Sequence, residues 1–152
     1  MSASSIAIRP LTSSDKAVWK DLWTSYLLFY KSSVAQDVYE TTWSRLLDPN
    51  EPIHGMVAEV DDQTIGLVHY LFHRSTWSVG NYCYLQDLFV NPDVRGKSVG
   101  RQLIQATREA AEAAGASRVY WTTQEHNQAA RVLYDKVADL TDFLQYRIML
   151  DG

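Results

Sequence analysis

One run of nine residues, YCYLQDLFV at 82–90, constrains the fold more than any other segment of the chain. All but Gln86 and Asp87 are apolar or aromatic, and this length and composition are typical of a strand in the middle of a sheet. Turn-forming residues follow at 91–93, and strong helix formers then extend from 99 to 114. The sequence therefore predicts a central strand, a turn and a long helix in succession.

Patterns of apolar residues predict the remaining elements. Spacings of three and four residues indicate helices, whereas alternation or enrichment in β-forming residues indicates strands. In chain order these are a strand at 6–8, helices at 18–30 and 38–47, a hairpin of strands at 53–60 and 64–73, a strand at 118–122, a helix at 127–136 and a last strand at 143–150. The fold class is therefore α/β (α+β), and the length of 152 residues predicts a single domain, 1–152.

The composition limits the classes of function. Hydrophobic residues make up 46% of the chain and charged residues 21%, as in globular proteins, and we find neither a bilayer-spanning stretch nor a leader. The single cysteine cannot form an internal disulfide or a cysteine-based zinc site. A net charge of −4 argues against a nucleic-acid partner and tolerates a cationic substrate. We therefore expect a cytoplasmic protein with no membrane or nucleic-acid partner.

The turn between the central strand and the long helix, RGKSVGR at 95–101, has the features of an anion site. Free N–H groups and the positive dipole end of a helix N-terminus attract phosphate, and this turn adds the cations Arg95, Lys97 and Arg101. Its spacing is neither that of the G-x-G-x-x-G dinucleotide motif nor that of the P-loop. From these residues alone, a phosphate site and a solvated helix start both remain open.

The residues around this turn resemble those of the GNAT acetyltransferase superfamily. Residues 84–104, YLQDLFVNPDVRGKSVGRQLI, look like its strand and its Q/R-x-x-G-x-G/A turn. Asn127, Ala130 and Tyr134 are similar to its N-x-x-A-x-x-x-Y helix. The resemblance covers almost the whole chain. Within the superfamily the chain looks like the small single-domain members, which include spermidine/spermine acetyltransferases and the yeast-type histone and D-amino-acid acetyltransferases.

The resemblance implies a mixed, mostly antiparallel central sheet flanked by helices, with acetyl-CoA (coenzyme A) as co-substrate. The backbone of 88–90 would bind pantetheine, Asn127 would hydrogen-bond the cofactor arm, and Tyr134 would lie near the thioester sulfur. The implied cofactor residues are Leu88, Phe89, Val90, Arg95, Gly96, Lys97, Ser98, Val99, Gly100, Arg101, Asn127 and Tyr134.

Two positions depart from the superfamily pattern. Ser98 stands where the first glycine of the turn is expected, and we expect an adjusted or weakened phosphate contact because serine is small and keeps its N–H. After Tyr134, many relatives have a glycine and an aromatic residue, whereas this chain continues DKVADL.

The catalytic candidates are Tyr134 and Asp87. Acyl transfer to an amine needs a proton for the departing thiolate and an acceptor for the proton of the amine. The resemblance suggests Tyr134 as the acid. Related enzymes often have Glu where this chain has Gln86, and an amide cannot accept a proton, which leaves Asp87 as the available carboxylate. Strict alternation puts Gln86 and Asp87 on opposite faces of the sheet. Asp87 can therefore act as the base only if the strand bulges or if its own face is the one exposed to solvent. A structural aspartate and a water as base are the alternatives.

Aromatic residues of the early helices and of the turn before the central strand are candidates for amine binding, because aromatic rings can enclose an alkyl amine or hold a cation. Packing in the core is the alternative for most of them. The substrate candidates are Tyr26, Phe29, Tyr30, Trp77 and Gln86.

Three further residues invite chemistry that the sequence does not support. His69 and His73 share a strand face but lack a third ligand nearby, so we predict half-buried histidines and no metal. Nothing near Cys83 would activate its thiol, which indicates a buried core residue.

The function that we predict is transfer of an acetyl group to a primary amine of a small molecule, such as a polyamine, an amino acid or an amino sugar. A protein lysine or N-terminal acetyltransferase and a non-catalytic acyl-CoA-binding module are the alternatives. Because relatives of this size are frequently dimers, the resemblance also implies a homodimer.

Overall fold

A computed structural model describes residues 5–94 and 98–151. Short 3₁₀ turns at Ser13–Asp15 and Pro92–Val94 precede two of the helices. The elements are β1 (Ala7–Pro10), α1 (Lys16–Phe29), α2 (Gln36–Leu47), β2 (Ile53–Val60), β3 (Gln63–His73), β4 (Tyr82–Val90), α3 (Val99–Ala113), β5 (Arg118–Tyr120) and α4 (Gln128–Val137). The chain divides into two compact units, 1–122 and 123–152. The single domain stays a prediction.

The first unit contains a five-stranded sheet in the order β1-β2-β3-β4-β5. Its first four strands are antiparallel, and β5 joins β4 in parallel. Asp61 and Asp62 form the turn between β2 and β3 with φ angles of 51° and 65°, a left-handed pair that matches the twist of a tight hairpin. The sheet and its flanking helices confirm the predicted fold class.

Helices cover both faces of the sheet. A Cβ added to Gly55 of β2 would meet Leu46 of α2, whereas a Cβ added to Gly66 of β3 would lie 3.1 Å from Leu103 and Val99 of α3. Gly55 pairs with His69 and Ala58 pairs with Gly66, so odd-numbered β3 residues face α1 and α2 and even-numbered ones face α3. On the α1 face, the buried core is formed by Trp19, Leu22, Trp43, Leu46, Val57 and Leu67.

The strands β4 and β5 pair along only a short distance. Their ladder joins Tyr82 to Arg118 and ends where Tyr84 pairs with Tyr120. The part of β4 from Leu85 to Val90 is therefore outside this ladder, and its edge away from β3 is not paired with β5.

The predicted last strand at 143–150 is wrong. In the described structure this segment belongs to no strand, and its side chains are exposed. Alternation of apolar residues creates a strand only where another strand supplies the hydrogen bonds. The unit 123–152 contains α4 but, among its described residues, no strand that could do so. The strand predicted at 118–122 also ends earlier, at Tyr120.

An ion-pair network connects β1 to β2 and to the start of α1. The Arg9 guanidinium donates to both carboxylate oxygens of Asp15, at 2.7 and 2.9 Å, and also to Glu59. The Arg9 contact, together with hydrogen bonds from Thr12, lowers the pKa of the buried Asp15 carboxyl to about 2.

We predict that Asp15→Asn lowers the free energy of unfolding by about 2 kcal/mol at pH 7. This is the stability that the lowered pKa of the Asp15 carboxyl contributes through the linkage of protonation to folding. The ionised carboxylate is favoured in the folded state, so its contribution is complete above about pH 4 and is lost as the pH falls through about 2. Urea unfolding between pH 7 and pH 2 measures this, with the same change at the exposed Asp142 as control. An equal pH dependence in wild type and Asp15→Asn would contradict the assignment.

Candidate active site

A bulge in β4 determines which side chains reach the α1 face. Tyr70 pairs with Leu85 and His69 pairs with Asp87, so Gln86 is an extra residue without a partner on β3. His69 and Tyr70 are consecutive, and Leu85 and Asp87 therefore lie on opposite faces although they are two residues apart. Asp87 faces α1, and Gln86 is exposed between two buried neighbours. The bulge that the role of Asp87 requires is thus present.

Asp87 ends a buried chain of hydrogen bonds. The Trp19 indole Nε1 lies 3.0 Å from His69 Nε2, and His69 Nδ1 lies 2.9 Å from Asp87 Oδ2. An indole N–H can only donate, so Nε2 must accept, and the imidazole proton is on Nδ1. His69 is therefore neutral and donates to the carboxylate. His69 is 1% exposed, which makes it fully buried rather than half-buried as predicted.

Sequence reasoning missed the partnership of Trp19, His69 and Asp87. The two hydrogen bonds span 50 and 18 residues, and neither follows from local spacing. The alternation in β3, which puts His69 on the same face as the core residue Leu67, was the available signal.

Aromatic rings on α1 and at its C-cap extend in one row from His69, the middle residue of the hydrogen-bond chain. The Trp23 ring lies 5.0 Å from the His69 ring at 69°, and Tyr26 stacks on Trp23 with centroids 5.2 Å apart. The ring centroids of Tyr26 and Tyr30 are 5.0 Å apart, and those of Phe29 and Tyr30 are also 5.0 Å apart. The structure thus brings together three of the predicted substrate residues, Tyr26, Phe29 and Tyr30. We call the four rings from Trp23 to Tyr30 the aromatic row.

The other substrate candidates lie elsewhere. Trp77 belongs to the connection between β3 and β4 and is 86% exposed. Gln86 occupies the bulge. The Trp23 indole N–H, in contrast, is buried and has no hydrogen-bond partner among the residues that the structure describes.

A second aromatic cluster lies where β4 and β5 separate. The rings of Tyr84 and Tyr120 stack with centroids 4.9 Å apart, and the Tyr120 hydroxyl lies 2.6 Å from His73 Nε2. His73 Nδ1 donates to the Arg74 carbonyl, so Nε2 accepts from Tyr120. Burial raises the pKa of Tyr120. This cluster was not predicted from the sequence, because its contacts join residues up to 47 positions apart.

The predicted pantetheine residues lie on the part of β4 beyond the β5 ladder. Pairing with Val68, Leu67 and Gly66 occupies one edge of Leu88, Phe89 and Val90. Their other edge can therefore offer backbone groups to an extended ligand, as a strand edge does. Beside this segment lies an open groove of about 510 Å³, and Phe29 and Phe89 are both in its wall.

The predicted pyrophosphate turn is described only in part. Arg95, Gly96 and Lys97 lie outside the described residues. Ser98 has φ 59° and ψ 27°, the left-handed conformation that glycine adopts most easily, and α3 begins at Val99. Gly100 and Arg101 follow in the first turn of α3, where backbone N–H groups have no partner within the helix.

The second unit contains the remaining candidates, Asn127 and Tyr134. The Asn127 side-chain oxygen accepts a hydrogen bond from the Ala130 N–H at 3.5 Å and caps α4. Tyr134 follows about two helical turns later and is half-buried.

In residues 5–94 and 98–151, no three His, Cys, Asp or Glu side chains form a metal-ligand cluster. Within the same ranges, no helix is long and apolar enough to cross a bilayer. Cys83 is fully buried, and burial raises the pKa of its thiol to about 11.

Comparison with known proteins supports the motif assignment. The model of the acetyltransferase (GNAT) family matches residues 16–138. The D-amino-acid N-acetyltransferase HPA3 of Saccharomyces cerevisiae is 37% identical over 145 residues, which cover 93% of this chain and 89% of that protein. A thialysine N-epsilon-acetyltransferase of Caenorhabditis elegans is 32% identical over 88 residues, which cover 58% of this chain and 54% of that protein.

Solved structures share the fold. The aminoglycoside N-acetyltransferase AAC(6')-Iy, solved in complex with CoA, superposes with a TM-score of 0.84. The match covers 97% of each chain at 16% sequence identity. The similarity at this identity concerns the fold.

We predict that Ser98→Gly raises the free energy of unfolding by about 1 kcal/mol, because glycine relieves the left-handed strain. Urea unfolding at constant pH measures the change. Gly115→Ala is the matched control, since Gly115 has φ 76° and open space around the position of an added Cβ. It should lower the free energy by a similar amount, and a destabilised Ser98→Gly would contradict the strain.

Proposed function

The chain belongs to the GNAT family of acetyltransferases, and we propose that it transfers the acetyl group of acetyl-CoA to a primary amine of a small molecule. Family membership confirms the predicted resemblance and enzyme class. The relatives named above are N-acetyltransferases of D-amino acids and of thialysine, which supports a polyamine, amino acid or amino sugar rather than a protein lysine as acceptor.

The observation that carries the proposal is the placement of Asp87 by the bulge. Asp87 is 8% exposed, and its partner His69 packs against Trp23, the first ring of the aromatic row. Oδ2 accepts the hydrogen bond of His69 Nδ1. We propose that Oδ1 accepts the proton of the acceptor ammonium, directly or through a water, so that the neutral amine can attack.

The cofactor would lie along the open edge of β4. Leu88, Phe89 and Val90 would hydrogen-bond pantetheine, and the N-terminus of α3, with the turn 95–101, would bind the pyrophosphate. An N–H of the same strand segment would polarise the thioester carbonyl. The complex of AAC(6')-Iy with CoA supports acetyl-CoA as the donor.

The acid in this proposal is Tyr134, supported by the N-x-x-A-x-x-x-Y motif. Its phenol would protonate the CoA thiolate as the tetrahedral intermediate collapses. Asn127 would hydrogen-bond the cofactor arm through its side-chain NH₂, because its oxygen caps α4.

The aromatic row supports an acceptor with an alkyl chain or a delocalised cation. Stacked rings exclude water from such a chain and attract a positive charge to their faces. The buried Trp23 N–H is an additional donor for a polar group of the acceptor. Asp87 weakens the alternative of a non-catalytic module, since that alternative depends on Gln86 replacing a carboxylate.

We also propose a cytoplasmic homodimer. Seven large apolar side chains of the C-terminal segment 140–150 are between 75% and 92% exposed. A second copy of the chain would cover these side chains, because ordinary monomers expose large apolar side chains singly and not in one run. The residues are Leu140, Phe143, Leu144, Tyr146, Ile148, Met149 and Leu150.

We expect Asp87→Asn to lower kcat at least 100-fold, since the amide cannot accept a proton, with the Kd for acetyl-CoA unchanged. Turnover is measured as thiol release from acetyl-CoA. The acceptors tested are a panel of amines, both enantiomers of amino acids, polyamines and a lysine peptide, so that the assay also identifies the acceptor. Asp93→Asn, an exposed position on the same chain segment, is the control. Full activity of Asp87→Asn would exclude this base, and turnover with the peptide alone would favour the protein acetyltransferase.

For the homodimer, we expect the triple variant Phe143→Ser, Tyr146→Ser, Ile148→Ser to have half the wild-type mass in solution. The dimer should dissociate because the substitutions remove the apolar contact area between the two copies. Light scattering after gel filtration measures the mass, and Val79→Ser, at a position that is 99% exposed, serves as control. A wild-type protein that is monomeric at micromolar concentration would contradict the homodimer.

A further inference from the structure

We propose that His69 and Trp19 are positioning residues for acetyl transfer, which act by holding the Asp87 carboxylate with one oxygen bound and one available. This proposal rests on the proposed function, in which Asp87 is the base. Neither residue contacts a reacting atom in this proposal.

The direction of hydrogen bonding assigns the roles. Donation runs from the Trp19 indole to His69 Nε2, and from His69 Nδ1 to Asp87 Oδ2. The Trp19 N–H occupies the lone pair at which His69 would otherwise take up a proton. Within this chain of three groups, the carboxylate is therefore the proton acceptor and His69 is a neutral donor to it.

The burial of the three side chains agrees with these roles. Trp19 is 0% exposed, His69 is 1% exposed and Asp87 is 8% exposed. Asp87, at the end of the hydrogen-bond chain, is the most exposed of the three. A buried imidazole cannot meet an amine substrate, whereas it can orient the group that does.

Packing holds the imidazole in one orientation. The Trp23 ring packs against it with the ring centroids 5.0 Å apart. Trp19 is itself fixed between Trp43 at 5.0 Å and Tyr39 at 6.2 Å. A carboxylate hydrogen-bonded to so fixed a donor has lost most of its rotational freedom, and pre-orientation of this kind lowers the barrier to reaction.

The test compares two replacements of His69. Asn places its NH₂ near the position of Nδ1 and can still donate to Asp87, whereas Leu fills the volume without a donor. We expect His69→Leu to lower kcat about 10- to 100-fold with KM for acetyl-CoA unchanged, and His69→Asn to recover most of that loss. Equal kcat values for the two variants would overturn the proposal. His54→Leu, a partly buried histidine on the α3 face, is the control and should retain its kcat.

A double-mutant cycle separates this proposal from the proposed function. In the Asp87→Asn background, His69→Leu should change kcat less than threefold, because the carboxylate that it positions is already absent. If Asp87→Asn itself retains its turnover, the base assignment fails. If Asp87→Asn loses its turnover and His69→Leu does not, the positioning role alone fails.

The tautomer of His69 can be measured directly in the unmodified enzyme. Nitrogen-15 chemical shifts of His69, assigned by their loss in His69→Asn, should show a protonated Nδ1 and an unprotonated Nε2. Trp19→Phe, which removes the indole N–H, leaves Nε2 free to take up a proton and should move its nitrogen-15 shift toward that of a protonated nitrogen, while Nδ1–H still donates to Asp87. A wild-type Nε2–H tautomer, or an imidazolium, would overturn the proposal.

Discussion

The pairing register between β3 and β4 is the constraint on which the site depends. One extra residue, Gln86, has no partner on β3, and it places Asp87 opposite His69 instead of on the face of Leu85. Without the bulge, the carboxylate would lie on the α3 face, away from Trp19 and from the aromatic row. A single residue in one strand thus determines on which face of the sheet the carboxylate lies.

Helix α1 contributes to both stability and the site with different turns of one apolar face. Trp19 and Leu22 are buried in the core, whereas Tyr26 and Phe29 belong to the row that extends toward solvent. The indole of Trp19 does both, because its ring packs on Trp43 while its N–H binds His69. The site is therefore built on the core itself, so its geometry should be as rigid as the packing around it.

The sequence was sufficient where the signals are local. The apolar run of β4, the hairpin at Asp61 and Asp62, and the helix formers of α3 each predict their element, and together with the motifs they indicate the family. Register and long-range hydrogen bonds are not local, so the partnership of Trp19 with His69 could not be predicted. The strand predicted at 143–150 was wrong because alternation supplies no partner strand. The cofactor and catalytic roles of individual residues stay predictions.

The buried cysteine has a consequence for an enzyme whose donor is a thioester. Cys83 lies in β4, the strand on which the acyl donor is proposed to bind, and its thiol pKa of about 11 keeps it protonated at neutral pH. A protonated thiol does not attack a thioester, and it does not exchange with disulfides of coenzyme A. Cys83 is therefore a poor target for acylation by the donor and for mixed-disulfide formation with coenzyme A.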